Sequence, residues 1–170
     1  MKLKENNSAQ KLRGAYYTPL RLANAMVSLF APENIQTVLE PSCGDGVFLD
    51  SLFSVGLMEQ ISMIPAIEIE SEEANKIAER YKETKNVDVI CEDFFDFYQR
   101  NYKSSQYDLI LGNPPYIRYQ YLTEEQRKIQ SNILTTHGMK ANKLINAWVA
   151  FVVACVQMLS ENGKIAFVLP

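Results

Sequence analysis

Short apolar segments alternate with segments of helical periodicity along this chain, and this alternation constrains the fold more than any other feature. Five segments of five to seven residues, rich in Val, Ile and Leu, predict β-strands. Strands joined by helical crossovers pair in parallel, with helices covering both faces of the sheet. The sequence therefore predicts a doubly wound, mostly parallel α/β fold. The predicted strands are residues 37–41, 63–69, 87–91, 107–111 and 164–169.

Local signals predict where several helices begin and end. Thr18 is predicted to cap the first helix, with Pro19 at its first helical position. A long apolar helix is predicted to run from Ile145 through Leu159 and to stop at residues 162–163, an Asn-Gly pair.

Residues 123–143 interrupt the alternation. Thr123 and Gln126 have the spacing of a capping box, which predicts a helix start, and His137 with Gly138 predicts a turn. We interpret this segment as an excursion above the sheet that could act as a mobile lid.

Composition excludes several classes of protein. Hydrophobic residues make up 47 % of the chain, too many for a disordered segment, and no apolar run approaches the roughly 18–20 residues of a membrane span. Three cysteines and a single histidine lack the spacing of metal ligands, so no metal site is expected. Residues 1–13 are polar, which predicts a flexible segment without a signal peptide and a cytoplasmic location.

Three of the predicted strands end in an acidic residue: Glu40, Glu68 and Asp93. Because the carboxyl ends of parallel strands meet at one edge of a sheet, these acids are expected to surround a common ligand site. Glu68 follows a glycine turn by roughly 20 residues, the separation at which an acid accepts the hydroxyls of a ribose. Asp93 can accept a hydrogen bond from an adenine amino group, with Phe94 against the ring.

The glycine turn after Glu40 contains Ser42, Gly44 and Asp45 and lets the backbone approach a ligand closely. A dinucleotide fits poorly, because Leu49 stands where the third glycine of a dinucleotide fingerprint would be. S-adenosylmethionine fits better, since it combines an adenosyl group with a sulfonium cation that suits acidic surroundings. It is the predicted cofactor.

The fourth predicted strand is followed by the tetrapeptide Asn-Pro-Pro-Tyr, residues 113–116. The two prolines fix the backbone, so that the Asn113 amide oxygen and the Pro114 carbonyl can both accept hydrogens from one planar NH2 group. Accepting both hydrogens frees the nitrogen lone pair for attack on a methyl group, and fixed acceptors stabilise the charge that develops. Tyr116 offers an aromatic face to a flipped base. These three residues are the predicted catalytic group.

The chain resembles the N6-adenine-specific DNA methyltransferases of bacterial restriction–modification systems with the gamma order of motifs. The resemblance implies a Rossmann-like methyltransferase fold, truncated after the fifth strand, and a partial catalytic domain over residues 14–170. It also implies that Tyr17 and Thr18 help to hold the methionine end of the cofactor. The motifs that carry the resemblance are residues 14–19, 38–49, Glu68, 93–94, 113–116 and 163–170.

The family's target recognition domain has no counterpart in these residues. Double-stranded DNA is therefore expected to bind through regions missing from this chain, and the isolated chain is expected to be inactive. The net charge of −3 agrees, because DNA affinity comes largely from cationic contacts. An unpaired outer edge on the fifth strand would also allow self-association.

Three alternatives stay open at this point. Asn-Pro-Pro-Tyr also occurs in methyltransferases that act on RNA bases or on a protein glutamine amide, both of which present a planar NH2 group. The third alternative is a non-catalytic module that binds S-adenosylmethionine without turnover.

Overall fold

Five parallel strands form the centre of the computed structural model, which describes residues 18–31, 33–117, 121–139 and 147–169. Strand β1 pairs with β4, β4 with β5, and β2 with β3, always in parallel. Single parallel bridges from Thr37 to Met63 and from Glu40 to Ala66 join β1 to β2. The sheet order is therefore β3-β2-β1-β4-β5, and the prediction of a parallel sheet is confirmed. The strands are β1 (Val38–Leu39), β2 (Ile64–Glu68), β3 (Val87–Cys91), β4 (Tyr107–Gly112) and β5 (Leu159–Phe167).

Helices cover both faces of this sheet. Successive side chains of a strand point to opposite faces, so Val38, Ile64 and Leu109 pack with α1, α2 and α3, whereas Leu39 and Ile110 pack with α4, α5 and α6. Within the described part of the chain, no helix is long and apolar enough to cross a membrane. The helices are α1 (Leu20–Ser28), α2 (Val47–Ser54), α3 (Ser71–Tyr81), α4 (Phe94–Asn101), α5 (Glu124–Thr136) and α6 (Ala147–Val156).

The predicted start of the first helix is wrong by one residue. Pro19 has an extended ψ of 136°, and α1 begins after it, at Leu20, with no side-chain cap. The Thr18 hydroxyl accepts a hydrogen bond from the Asn113 side chain instead, at 3.3 Å. Thr18 therefore belongs to the carboxyl edge of the sheet and not to a helix cap.

The predicted end of the long helix is also wrong. Helix α6 ends at Val156, and the Tyr107 N–H already donates to the Met158 carbonyl at 2.8 Å, so Leu159 enters the sheet as the first residue of β5. The Asn-Gly pair at residues 162–163 lies inside β5, where the register against β4 shifts. Apolar periodicity continued across this junction because both elements are partly buried, and it therefore could not mark the boundary.

Helix α5 is part of the core, in contrast to the predicted excursion above the sheet. Its capping box is present as predicted, with Thr123 and Gln126 bonded to each other's backbone N–H. Ile133 and Leu134, in the last turn of the helix, are buried in the cluster that α6 also covers. Residues 140–143 of the predicted excursion, and the predicted flexible segment 1–13, lie outside the described residues.

The glycine turn packs directly against α3. Gly46 has a left-handed φ of +79°, and a Cβ atom there would lie 2.7 Å from Ile77 Cδ1. Arg80 of α3 donates to the Asp45 carbonyl at 3.1 Å and forms an ion pair with Asp50 of α2 at 2.9 Å. The turn between β1 and α2 is therefore held from outside by α3.

We expect Gly46→Ala to destabilise the fold by about 2 kcal/mol or more, because the methyl group adds a clash with Ile77 to the strain of a left-handed residue. Gly56→Ala is the matched control, since Gly56 has a φ of +80° but no atom within 4 Å of the added carbon. It should cost only about 1 kcal/mol. Urea denaturation of both variants measures the difference, and equal losses would contradict the packing argument.

Candidate active site

A cavity of about 570 Å³ opens at the carboxyl edge of the sheet, within the usual size of small-molecule sites. Residues from four strand ends line it, together with residues of α5 and α6. The structure thus brings most of the predicted site residues to one place. The predicted residues that line the cavity are Thr18, Ser42, Gly44, Asp45, Glu68, Asp93, Phe94 and Asn113.

Three other predicted residues, Glu40, Pro114 and Tyr116, are described by the structure but do not line this cavity. Glu40 is fully buried, and Pro114 and Tyr116 belong to the segment after β4. The Tyr116 hydroxyl donates a hydrogen bond to the Val168 carbonyl, which connects that segment to the residue after β5. Tyr17 lies outside the described residues.

Glu68 connects the end of β2 to the glycine turn. Its Oε2 accepts from the Gly44 N–H and its Oε1 from the Glu70 N–H, both at 2.8 Å. Burial raises the pKa of Glu68, and these two backbone bonds lower it in part. Each carboxylate oxygen has two lone pairs, so each can accept one further hydrogen bond from a ligand hydroxyl.

Glu40 is the most deeply buried of the acids at the strand ends. Its side chain is fully buried, and neither carboxyl oxygen forms a hydrogen bond with the described residues. Burial, together with repulsion from Asp45, Asp50 and Glu68, raises the pKa of Glu40 well above its ordinary value of 4.5. An unpartnered carboxylate here would be stabilised by any cation that came near it.

Asp93 holds the start of α4 and faces the cavity. It accepts from the Phe95 N–H at 2.7 Å, as a helix N-cap does. Burial raises the pKa of Asp93, while the Phe95 N–H and a hydrogen bond from the Gln126 side chain lower it. Asp93, which the sequence predicted as a cofactor contact, therefore also connects α5 to the site through Gln126.

Asn113 is oriented by two hydroxyl groups. Its Nδ2 donates to Thr18 Oγ1 at 3.3 Å, and its backbone carbonyl accepts from Ser42 Oγ at 3.2 Å. Because Thr18 takes the amide nitrogen, Oδ1 is the side of the amide that can accept from another group. Thr18, before α1, and Ser42, after β1, thus orient the acceptor oxygen that the predicted chemistry requires.

Sequence reasoning missed several residues of this site. Arg80 holds the glycine turn although it lies about 35 residues away in the chain. Gln126, Gln130 and Phe151 line the cavity from α5 and α6. The capping box signalled Gln126 as a helix residue, but nothing in the local pattern indicated that α5 would reach Asp93.

The electrostatics of the cavity favour a cationic ligand. Burial raises the pKa of each of the acids Asp45, Glu68 and Asp93, which disfavours any added negative charge. Burial also raises the pKa of the Cys43 thiol, so this cavity-lining cysteine stays protonated and is a poor nucleophile. Among the described residues, no group of three or more His, Cys, Asp or Glu side chains could hold a metal ion.

Comparison with known proteins gives consistent matches. Residues 27–170 match the Eco57I restriction-modification methylase family. The chain is 29 % identical over 160 residues to the Type II methyltransferase M.HincII from Haemophilus influenzae, a match that covers 92 % of this chain and 28 % of that protein. The chain thus spans just over a quarter of the length of this curated relative.

Solved structures show the same fold. The type I restriction-modification system methyltransferase subunit from Streptococcus thermophilus superposes with a TM-score of 0.71 at 20 % identity, over 93 % of this chain and 35 % of that one. An S-adenosylmethionine-dependent methyltransferase from Clostridium acetobutylicum gives 0.53 at 13 % identity, over 88 % and 50 % of the two chains. The predicted Rossmann-like methyltransferase fold is confirmed.

We expect Glu40→Gln to stabilise the ligand-free protein, and to do so more strongly as the pH rises. Burial raises the pKa of Glu40, so the folded protein keeps this proton at pH values where the unfolded chain has lost it. The unfolding free energy of the wild type therefore falls as the pH rises above the ordinary value of 4.5. At about pH 8 the variant should be more stable by about 1 kcal/mol or more.

Denaturation at about pH 5 and about pH 8 measures this difference, with Glu83→Gln as the control because Glu83 is exposed. A gain in stability that is the same at both pH values would contradict the assignment.

Proposed function

The chain belongs to the Eco57I restriction-modification methylase family, and from this premise we propose that it carries the site that transfers a methyl group from S-adenosylmethionine to the N6 amino group of adenine in DNA. One observation supports this most. Glu68, Asp93 and Asn113 line the same cavity. The sequence predicted that they contact the ribose of the cofactor, the adenine amino group of the cofactor and the NH2 group of the substrate, respectively. An Asn113 side chain in the apolar core, away from the two acids, would be unable to act on a substrate in this cavity.

The residues present fit the proposed cofactor. Glu40 is buried beside other acids without a hydrogen-bond partner among the described residues, and acidic surroundings of this kind suit a ligand that carries a sulfonium and an ammonium group. Glu68 has acceptor capacity for ribose hydroxyls, and Asp93 has it for an exocyclic amine. A carbon added at Gly44 would meet no atom within 4 Å, which leaves room for a ligand against the backbone.

S-adenosylmethionine, when bound, supplies a methyl group on a positively charged sulfur. We propose that Asn113 Oδ1 and the Pro114 carbonyl accept the two hydrogens of the adenine amino group. Accepting both hydrogens draws the nitrogen away from planarity and frees its lone pair for attack. As positive charge develops on that nitrogen, the two fixed oxygens stabilise it more than they stabilise the neutral amine.

Thr18 and Ser42 act on this reaction through Asn113. Thr18 accepts from the amide nitrogen and Ser42 donates to the backbone carbonyl, so these two bonds fix which side of the amide presents its oxygen. A rotated amide would present its NH2 to the substrate NH2, and two donors would then face each other. The proposed role of Thr18 is thus to position the acceptor, in addition to the cofactor contact predicted from the family.

Tyr116 completes the proposed group from the same segment. Its hydroxyl is held by the Val168 carbonyl, which leaves the aromatic face as the part of the side chain that can stack on a flipped base. The chemistry needs no strong base beside it. The methylated nitrogen is acidic enough to release its extra proton to water.

DNA is the proposed substrate, and we propose that most of its contacts lie outside this chain. A net charge of −3 gives little attraction to a polyanion, so the isolated chain is expected to transfer methyl groups poorly or not at all. A DNA substrate in a bacterial cell also implies a cytoplasmic location. Self-association through the outer edge of β5 remains a prediction, which sedimentation of the chain can measure.

We expect Asn113→Ala in the full-length protein to lower the rate of methyl transfer about 10²- to 10³-fold, the usual effect of removing one fixed transition-state partner. Affinity for S-adenosylmethionine should change little, because the amide acts on the substrate amine. Transfer of tritiated methyl groups to DNA measures the rate, and calorimetry measures the affinity. Mass spectrometry of the digested DNA identifies the methylated base as N6-methyladenine.

Asn132→Ala is the control, since Asn132 is exposed on α5. An Asn113→Ala protein that methylates DNA at the wild-type rate would contradict the proposed role of the amide. Methyl transfer to RNA or to a protein glutamine, and not to DNA, would contradict the substrate.

A further inference from the structure

The glycine turn between β1 and α2 is held by two residues, of which only one lines the cavity. Within the cavity, Glu68 accepts a hydrogen bond from the Gly44 N–H at 2.8 Å. Arg80 of α3 does not line the cavity, and its Nη1 donates to the Asp45 carbonyl at 3.1 Å. Gly44 and Asp45 both line the cavity, so a residue outside the site restrains backbone that a ligand would contact.

The Arg80 guanidinium is oriented by Asp50, in the first turn of α2. Nη1 of Arg80 lies 3.1 Å from Asp50 Oδ1 and 2.9 Å from Asp50 Oδ2. The Tyr81 hydroxyl donates to the same carboxylate at 2.6 Å, which restrains the carboxylate as well. Because Nη1 carries two hydrogens, it can donate to the Asp50 carboxylate and to the Asp45 carbonyl together. Asp50 thus holds Arg80 in the position from which it contacts the turn.

The helix that carries Arg80 is packed against the turn. Ile77 lies one helical turn before Arg80 and is fully buried. A Cβ atom at Gly46 would lie 2.7 Å from Ile77 Cδ1, so α3 and the turn are in direct contact. The hydrogen bond from Arg80 therefore joins two elements whose separation is already set by packing.

The geometry of Arg80 matters more to the site than its charge. The side chains of Arg80 and Asp50 are 45 % and 39 % exposed, and an ion pair of this kind is screened by solvent and contributes little to folding stability. A positive charge also cannot favour a cationic ligand. The hydrogen bond to the Asp45 carbonyl remains as the contribution that Arg80 can make to ligand binding.

We propose that Arg80 is a positioning residue of the cofactor site, which acts through the Asp45 carbonyl and raises the affinity for S-adenosylmethionine without touching it. This inference rests on the proposed function. A turn that is fixed before the ligand arrives binds it with little loss of backbone entropy. Without Arg80, the turn keeps its bond to Glu68 but loses the bond at Asp45, and the ligand must then order this part of the backbone itself.

Arg80→Met in the full-length protein tests this, because Met has a similar length and favours helix but cannot donate to the carbonyl. We expect the Kd of S-adenosylhomocysteine, measured by calorimetry, to rise about three- to tenfold, the usual effect of losing one hydrogen bond. The stoichiometry should not change. In methyl-transfer assays the KM for S-adenosylmethionine should rise by the same factor, with kcat at saturating cofactor unchanged.

Lys82→Met is the matched control. Lys82 directly follows α3 and forms an exposed ion pair with Glu79 at 2.6 Å, so each variant loses one surface ion pair of the same helix. Both variants should lower the melting temperature slightly and to a similar extent, and Lys82→Met should leave the Kd unchanged. A Kd that rises equally in both variants overturns the inference.

The split between affinity and active fraction separates positioning from a merely structural role. If Arg80 only stabilised the fold, its loss would lower the stoichiometry and kcat, while the molecules that still fold would keep the wild-type Kd and KM. That result overturns the inference, and so does an Arg80→Met protein that is unchanged in all four quantities.

The same measurements distinguish this inference from the proposed function. A wild-type protein that does not bind S-adenosylhomocysteine overturns the proposed function and this inference with it. A wild-type protein that binds it, with an equal Kd in Arg80→Met, overturns the role of Arg80 alone.

Discussion

Parallel pairing of strands that are buried on both faces leaves the strand ends as the only part of the sheet where polar chemistry can be placed. The side chains of β1, β2 and β4 are committed to two apolar clusters, one under each helical layer. Parallel direction then brings every carboxyl end to one edge. The acids at the ends of β2 and β3 and the amide after β4 are separated by tens of residues in sequence, yet this one constraint brings them to the same cavity.

The acidic cavity favours a positively charged ligand, but its buried carboxyl groups lower the stability of the ligand-free protein. Burial raises the pKa of Glu40, Asp45, Glu68 and Asp93, with no described cation bonded to any of these carboxyl groups. Backbone N–H groups offset part of the cost at Glu68 and Asp93, whereas Glu40 receives no such compensation. The charge that destabilises the empty site is the charge that a sulfonium or ammonium group would neutralise.

The sequence predicted the strands and the strand-end residues well, because parallel strands and tight turns have strong local signals. Val87–Cys91 has the predicted bounds, and the capping box at Thr123 is present. Sequence reasoning failed where the outcome depends on distant packing. The end of α6 at Val156 is set by pairing of the next residues with Tyr107, and the roles of Arg80 and Gln126 arise from contacts across the fold. Periodicity reports which face is apolar, but it cannot report what that face meets.

The two backbone bonds to Glu68 have a consequence for how a ligand enters. A glutamate on a surface samples many rotamers, and a ligand that binds it must restrict the side chain to one of them, at a cost in conformational entropy. Here the Gly44 and Glu70 N–H groups already hold the Glu68 side chain in one rotamer, because each donates to one of its two carboxylate oxygens. A sugar that binds to Glu68 would therefore contact a preorganised carboxylate. Binding at this end of the cavity would involve little loss of side-chain entropy.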